Sequence, residues 1–100
     1  MLWVSYPVVP HAARRQYANV AKRSPSFAGN PALLKLGATI RALRLEKGLS
    51  QEALAEIANI DRSYMGGIER GEHNSTFINL IRIADALNLK THQLLERADL

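Results

Sequence analysis

The chain has 100 residues, of which 47% are apolar and 22% charged, a composition that excludes wholesale disorder and suits one domain, or one small domain with a tail. It contains no cysteine, which excludes disulfides, thiolate zinc sites and cysteine nucleophiles and fits a reducing compartment. Thirteen lysine and arginine residues against nine acidic ones give a net charge of +4, which favours a polyanionic partner, nucleic acid before anionic membrane.

The first 31 residues carry the whole excess of positive charge and all four prolines, whereas residues 32–100 hold nine basic and nine acidic residues. Because proline disfavours the helical conformation in its own and the preceding residue, we expect residues 1–31 to form a basic arm, flexible or partly helical, ahead of a domain over residues 32–100. The apolar run Leu2 to Val9 is too short to span a membrane and lacks the preceding basic region of a signal peptide. A short basic helix from His11 to Lys22, acting at a membrane surface or as a transit-like segment, stays open as an alternative.

From residue 31 onward the apolar spacing is helical. Pro31 suits the first turn of a first helix that Gly48 closes. The apolar face of this helix carries Leu33, Leu36, Ile40 and Leu43. Ser50 is the expected N-cap of a second helix, with Leu54 and Ile57 facing inward.

The remaining sequence predicts three more helices. Asp61 is the expected N-cap of the third, which Gly71 ends, and the fourth follows Ser75 or Thr76. The fourth helix should turn one face to the core, formed by Phe77, Leu80, Ile81, Ala84 and Leu87. Asn88 is a left-handed C-cap candidate, and the fifth helix, capped by Thr91, carries Leu94 and Leu95. Five helices in about seventy residues predict an all-α domain.

The second and third helices have the spacing of a pair that packs at a steep angle. Ala55 is small where the two helices approach, and Asn59 lies in the turn, where asparagine tolerates a left-handed conformation. Only three residues separate the helices, as in a helix-turn-helix. The apolar contacts expected between them come from Leu54, Ala58, Ile60, Met65 and Ile68.

Polar residues at the starts of these helices are candidates for contacts with DNA. Arg62 and Ser63 are the first polar side chains beyond the predicted cap, and arginine can donate two hydrogen bonds to guanine O6 and N7. Tyr64 either contacts a thymine methyl or the backbone, or packs. Gln51 begins the second helix, where backbone amides and a side-chain amide can together hold a phosphate. The alternatives are a phosphate-contacting or solvated Arg62, a Ser63 that only starts a helix, and a Gln51 exposed on the surface.

Residues 32 to about 96 resemble the Cro/cI-type helix-turn-helix domain, also called XRE, most clearly in LRLEKGLSQEALAEIANIDRSYMGGIERGEHNSTFINLIRIADALNL. Within that family, DRSYMGGIERGEHNST is most similar to the controller proteins of restriction-modification systems and similar small stand-alone regulators. The departures are Asn59, where the family most often has glycine, and the basic arm. The resemblance implies a five-helix, lambda-repressor-like fold and a homodimer, joined through residues 85–97, whose third helix enters the major groove of a two-half-site operator.

The resemblance also implies several site residues. Asn74 and Ser75, just before the fourth helix, match a phosphate-binding site of the family, and Arg70 is assigned to the phosphate contacts with them. Arg44 and Glu69 match positions that form a buried salt bridge in the family.

Catalysis finds no support in the sequence, and we expect no enzyme, metal, cofactor or small-molecule substrate. His11, His73 and His92 are far apart, none lies in an H-E-x-x-H or triad-like setting, and each is expected at the surface. The pair Gly66 and Gly67 is not followed by the Lys-Ser/Thr of a phosphate-binding loop. These glycines either allow DNA or a neighbouring helix to approach, or are neutral.

Two functions of different classes remain. The first is a sequence-specific, dimeric DNA-binding regulator of transcription, cytoplasmic and associated with the nucleoid. The second is an antitoxin-like or scaffold protein-interaction module that keeps the fold but has little affinity for DNA, an alternative supported by the neutral helical domain. Binding to random DNA with a steep salt dependence would favour the first, and no binding at low salt would favour the second.

Overall fold

The computed structural model describes residues 27–100, so the predicted arm lies, up to residue 26, outside the described residues, as do the alternatives for it. The described chain is all-helical, as predicted, with no strand. Its helices are α1 (Pro31–Glu46), α2 (Gln51–Ala58), α3 (Arg62–Glu69), α4 (Phe77–Ala86) and α5 (Thr91–Arg97). Within the described residues, no helix is long and apolar enough to cross a bilayer.

Four helices begin with a side chain that caps the free N–H groups of the first turn. Pro31 stands at the first turn of α1, as predicted, and the side-chain oxygen of Asn30 accepts a hydrogen bond from the Ala32 N–H at 2.9 Å. The other three caps accept from the N–H three residues further on, and they are Ser50 (from Ala53, 3.0 Å), Asp61 (from Tyr64, 3.1 Å) and Thr76 (from Asn79, 3.2 Å). The caps predicted for the second and third helices are confirmed, and Thr76 is the cap of the fourth.

The cap predicted for the last helix is wrong. Thr91 is the first residue of α5 and Lys90 is its N-cap. The Gln93 side-chain oxygen accepts the backbone N–H of Lys90 at 2.8 Å. A glutamine that reaches back to the start of the helix therefore satisfies the donor there.

One apolar core joins all five helices. Its buried members are Leu36, Ile40, Leu43, Leu54, Ala55, Ala58, Met65, Ile68, Ile83, Ala84, Leu87, Leu94 and Ala98. Two expected core residues are exposed, Ile57 at 58% and Phe77 at 66%. Leu33 and Ile81, also expected on apolar faces, are half-buried and lie outside this cluster. Phe77 opens α4 and lies beyond the end of the core, and the fully buried Ile83 takes part in the core instead. Ile57 lies at the rim of a groove that Arg82 and Asp85 also line.

A glycine brings α1 and α3 close together. A Cβ added at Gly37 would collide with the backbone carbonyl oxygens of Ile68 and Glu69. The C-terminal end of α3 therefore lies directly against the backbone of α1. This contact fixes the inclination of α3, the helix whose opposite end carries the candidate base-contacting residues.

Candidate nucleic-acid interface

The turn between α2 and α3 has the geometry of a helix-turn-helix. Asn59 ends α2 in the left-handed conformation, with φ 57° and ψ 48°. The N–H of Ile60 then donates to the Ala55 carbonyl at 2.8 Å, a bond that closes the end of the helix. Asp61 caps α3 immediately afterwards. The prediction for Asn59 is confirmed, and the turn holds α3 at a fixed angle to α2.

The first two residues of α3 present free hydrogen-bond donors to solvent. Arg62 and Ser63 are both exposed. Within residues 27–100, Arg62 takes part in no salt bridge. Met65 and Ile68 are buried on the inner side of the same helix. An unpaired guanidinium on a well-anchored helix can donate two parallel hydrogen bonds to a base edge.

Tyr64, the third candidate for a base contact, packs against the protein. Its ring stacks on the imidazole of His73, with centroids 4.6 Å apart and an interplanar angle of 15°. Tyr64 is half-buried and contacts the core cluster. His73 is half-buried as well, so the expectation of a surface histidine is wrong at this position. One face of the phenol is therefore covered by His73.

The two glycines of α3 make room for neighbouring side chains. A Cβ added at Gly67 would overlap the His73 ring. A Cβ added at Gly66 would lie 3.0 Å from an amino nitrogen of Arg70 and 3.3 Å from Oε1 of Gln51. The glycine at position 66 therefore lets side chains from α2 and from the end of α3 lie against the helix. The sequence had left this role open.

A buried ion pair connects α1 with the end of α3. Arg44 Nε lies 2.7 Å from Oε2 of Glu69, and Arg44 Nη2 lies 3.0 Å from Oε1. The side chains are only 10% and 2% exposed. Hydrogen bonding to Glu69 raises the pKa of Arg44 above its ordinary value against the opposing effect of burial. The remaining amino group of Arg44 donates to the Leu49 carbonyl at 2.9 Å, just before α2 begins.

Gln51 reaches this ion pair from the first turn of α2. Its Nε2 donates to Oε1 of Glu69 at 3.0 Å, and the residue is half-buried. Sequence reasoning did not predict this bond, because the two residues lie 18 positions apart. The amide of Gln51 is thus held by the protein on one side and faces outward on the other.

Arg70 is paired with its near neighbour Glu72 at the surface. Arg70 Nε and Nη2 donate to the two carboxylate oxygens at 2.9 and 3.1 Å. The hydrogen bonds from Arg70 lower the pKa of Glu72, and the same bonds raise the pKa of Arg70. Both side chains remain about half exposed. A phosphate that approaches Arg70 would therefore compete with a carboxylate already in place.

The remaining phosphate candidates precede α4. Asn74 is exposed. The hydroxyl of Ser75, however, is buried and has no hydrogen-bond partner among the described residues. Ser75 therefore has only its backbone N–H to offer a phosphate.

Several of the candidate residues share one surface. Arg62, Gly66 and Arg70 follow each other at intervals of four residues along one face of α3, and Gln51 lies beside Gly66. The contacts described place neither Asn74 nor Ser75 with this group. Within residues 27–100, no group of three or more histidine, aspartate or glutamate residues could hold a metal ion.

Known proteins are similar to this chain in sequence and in fold. The sequence profile of the helix-turn-helix family matches residues 40–94. The chain is 45% identical over 65 residues to the control protein C.SmaI of Serratia marcescens, across 65% of this chain and 77% of that protein. It is 38% identical over 64 residues to the control protein C.BamHI of Bacillus amyloliquefaciens, across 63% and 79%.

A solved structure agrees with these matches. The restriction-modification controller protein C.AhdI from Aeromonas hydrophila superposes with a TM-score of 0.61 and 47% identity, across 62% of this chain and 94% of that chain. The resemblance predicted from the motif is confirmed. The chain therefore belongs to the helix-turn-helix family, of the XRE type.

Proposed function

We propose that this chain is a sequence-specific, homodimeric regulator of transcription that binds a double-stranded operator with two half-sites. The observation that carries the proposal is the exposure of Arg62 and Ser63 at the start of a helix whose other side is fixed in the core. Binding DNA in the major groove requires such a rigid helix with free donors at its N-terminal end. A regulator of this kind acts on the nucleoid, in the cytoplasm.

In this proposal the base contacts come from the first turn of α3. Arg62 donates to a guanine, and Ser63 contacts a neighbouring base or phosphate. Tyr64 offers its ring edge and hydroxyl, since one face of the ring is covered by His73. Arg62 therefore carries most of the sequence preference in each half-site.

The phosphate contacts flank that turn. Gln51 lies at the N-terminus of α2, where backbone N–H groups add to its side-chain amide. Arg70, Asn74 and the backbone N–H of Ser75 supply the contacts on the other side. These contacts set affinity and orientation and carry no base information.

The dimer seam lies on the outer face of α4 and the adjoining end of α2. Residues 85–97, to which the resemblance assigned the seam, contain no large apolar side chain that is exposed. Leu87 and Leu94 are buried, and Leu89 and Leu95 are half-buried. On α2 and α4, large exposed apolar side chains occur at Ile57, Phe77 and Ile78. Ile57 borders an open groove of about 300 Å³ whose walls include Arg82, Asp85 and Ala86.

Charge on this face favours a second copy of the same chain. Ile78, Arg82 and Asp85 follow each other at helical spacing along α4. Neither Arg82 nor Asp85 belongs to a salt bridge within the described residues. A two-fold axis can place Arg82 of each copy opposite Asp85 of the other, because such an interface is self-complementary. The seam thus overlaps the segment 85–97 only at its beginning.

Selection of binding sites from random DNA, combined with analytical ultracentrifugation of the complex, tests the proposal. We expect a palindromic site with half-sites about one helical turn, ~34 Å, apart, occupied by two chains. Replacement of Ile57 and Ile78 by serine should give a monomer that loses operator affinity. No enrichment of any sequence, together with no binding to random DNA at low salt, would contradict the proposal and favour the protein-interaction module.

A further inference from the structure

We propose that buried Glu69 is a positioning residue for the Gln51 phosphate contact, so that the ion pair with Arg44 serves DNA binding as well as stability. This inference rests on the proposed function. The inference adds Glu69 to the residues that affect DNA binding, although its side chain is only 2% exposed and has no access to DNA. The observation behind it is the hydrogen bond from Gln51 Nε2 to Glu69 Oε1.

The carboxylate of Glu69 joins three segments at the start of α2. Its Oε1 accepts from Gln51 and from Arg44, both at 3.0 Å, and its Oε2 accepts from Arg44 at 2.7 Å. Arg44 also holds the Leu49 carbonyl at 2.9 Å. The first residue of α2 and the last residue of α3 are thus linked to each other and to α1 through one pair of charges.

This linkage leaves one donor of Gln51 available. A side-chain amide nitrogen carries two hydrogens, and Glu69 takes one of them. The bond fixes the amide plane at the first residue of α2, so the second hydrogen has a set direction. Without the bond, Gln51 would lose rotamer entropy each time it met a phosphate, a cost that buried partners remove in advance.

Arg44 has a second role, because it neutralises the charge of the Glu69 carboxylate. A bare carboxylate at this depth would repel a phosphate that Gln51 approaches. Arg44 donates two hydrogen bonds to Glu69 and so compensates its charge. Glu69 can therefore act as a hydrogen-bond acceptor for Gln51 without opposing DNA.

Two neutral double variants separate positioning from stability. Arg44→Met with Glu69→Gln removes both charges but keeps a side-chain oxygen that can accept from Gln51. Arg44→Met with Glu69→Met removes the charges and the acceptor. Replacing both members of a buried pair by residues of similar size is often tolerated. Gln51→Ala is then introduced into each background, and Kd for the selected operator is measured by fluorescence anisotropy.

We expect Gln51→Ala to weaken binding about tenfold in the wild-type protein, equal to ~1.4 kcal/mol. In the Arg44→Met/Glu69→Gln background, Gln51→Ala should raise Kd by about the same factor. In the Arg44→Met/Glu69→Met background it should raise Kd less than about twofold, because the effects of coupled residues are not additive. Ile40→Val, a core variant that keeps the pair, is the control for lost stability, and Gln51→Ala should have its full effect there. An equal effect in all four backgrounds would overturn the inference.

A second measurement needs no variant and no DNA. In the free wild-type protein, NMR relaxation should show the Gln51 side-chain amide to be more ordered than that of Asn88, which is exposed. A Gln51 amide as mobile as Asn88 would contradict the positioning role. If the wild-type protein bound no DNA at all, the proposed function would fail while this measurement still decided whether Glu69 holds Gln51.

Discussion

The imidazole ring of His73 occupies the space that a side chain on Gly67 would need. The ring also stacks on Tyr64, one helical turn before the glycine. Gly67 thus has a packing role that offsets the lower helix propensity of glycine. A residue in the loop after α3 is thereby held against the helix that carries the candidate base contacts.

Gly67→Ala should lower the free energy of unfolding by about 1–3 kcal/mol, the range for inserting a group into a filled space. In a His73→Ala background the sign should reverse, because alanine is then about 1 kcal/mol better than glycine in a helix. Chemical denaturation of the four proteins in this cycle measures both effects. A stabilising Gly67→Ala in the wild-type background would show that His73 does not fill the space.

Replacing only one member of the buried ion pair should destabilise the protein. Arg44→Met leaves the Glu69 carboxylate without its counter-charge, and we expect the free energy of unfolding to fall by about 3–5 kcal/mol. The double replacement Arg44→Met/Glu69→Met should recover most of that loss, since no charge is left buried. Urea denaturation of the single and double variants measures the difference. If the double variant were as unstable as the single one, the penalty would come from lost packing and not from an unpaired charge.

Substitutions of Asn59 test how much the left-handed conformation of the turn between α2 and α3 contributes to stability. Its left-handed φ of 57° costs most residues about 1–2 kcal/mol, so Asn59→Ala should lower the free energy of unfolding by about 1 kcal/mol. Asn59→Gly should be nearly neutral, since glycine adopts this conformation freely. Thermal denaturation of the two variants under one set of conditions compares them. Equal stabilities would mean that the conformation at position 59 does not limit the turn.

Glu72 should restrain DNA binding by occupying Arg70. Glu72→Gln removes the carboxylate that holds the guanidinium at 2.9 Å, and the freed charge should strengthen binding to operator and random DNA alike by about two- to fivefold, within the range of an exposed ion pair. The dependence of log K on log salt should also steepen by about one phosphate contact. Fluorescence anisotropy at several salt concentrations measures both quantities.

Asp99→Asn is the matched control for that experiment. It removes one negative charge from another exposed pair, the one that Asp99 forms with Lys35 at 3.4 Å. A general effect of net charge would raise the affinity equally in both variants. Only a larger gain for Glu72→Gln supports competition between the carboxylate and a phosphate at Arg70.

Features that depend on near neighbours in sequence could be predicted. The caps at Ser50 and Asp61 each bind an N–H three residues away, and Asn59 adopts a left-handed conformation that its own side chain tolerates. The wrong cap predicted at Thr91 also has a local cause. The Gln93 side chain accepts the N–H of Lys90, so that Lys90 and not Thr91 is the N-cap of α5. Periodicity placed Phe77 in the core, but it cannot tell where along a helix the core ends.

Features that depend on distant residues could not be predicted. The bond between Gln51 and Glu69 joins residues 18 positions apart, and it follows from the angle at which α2 meets α3. The close approach at Gly37 depends on how α1 packs against α3, and a glycine in a helix gives no sign of which backbone lies against it. The buried hydroxyl of Ser75 is likewise a consequence of packing that residue type does not reveal.

A single substitution, Arg62→Ala, tests whether Arg62 contacts a base. Binding of wild type and Arg62→Ala is measured at one salt concentration on the selected operator, on operators changed at each position, and on random DNA. We expect Arg62→Ala to lose about 1–3 kcal/mol on the operator, to relax preference at one position in each half-site, and to change little on random DNA. An equal loss on operator and random DNA would contradict the claim and make Arg62 a phosphate contact.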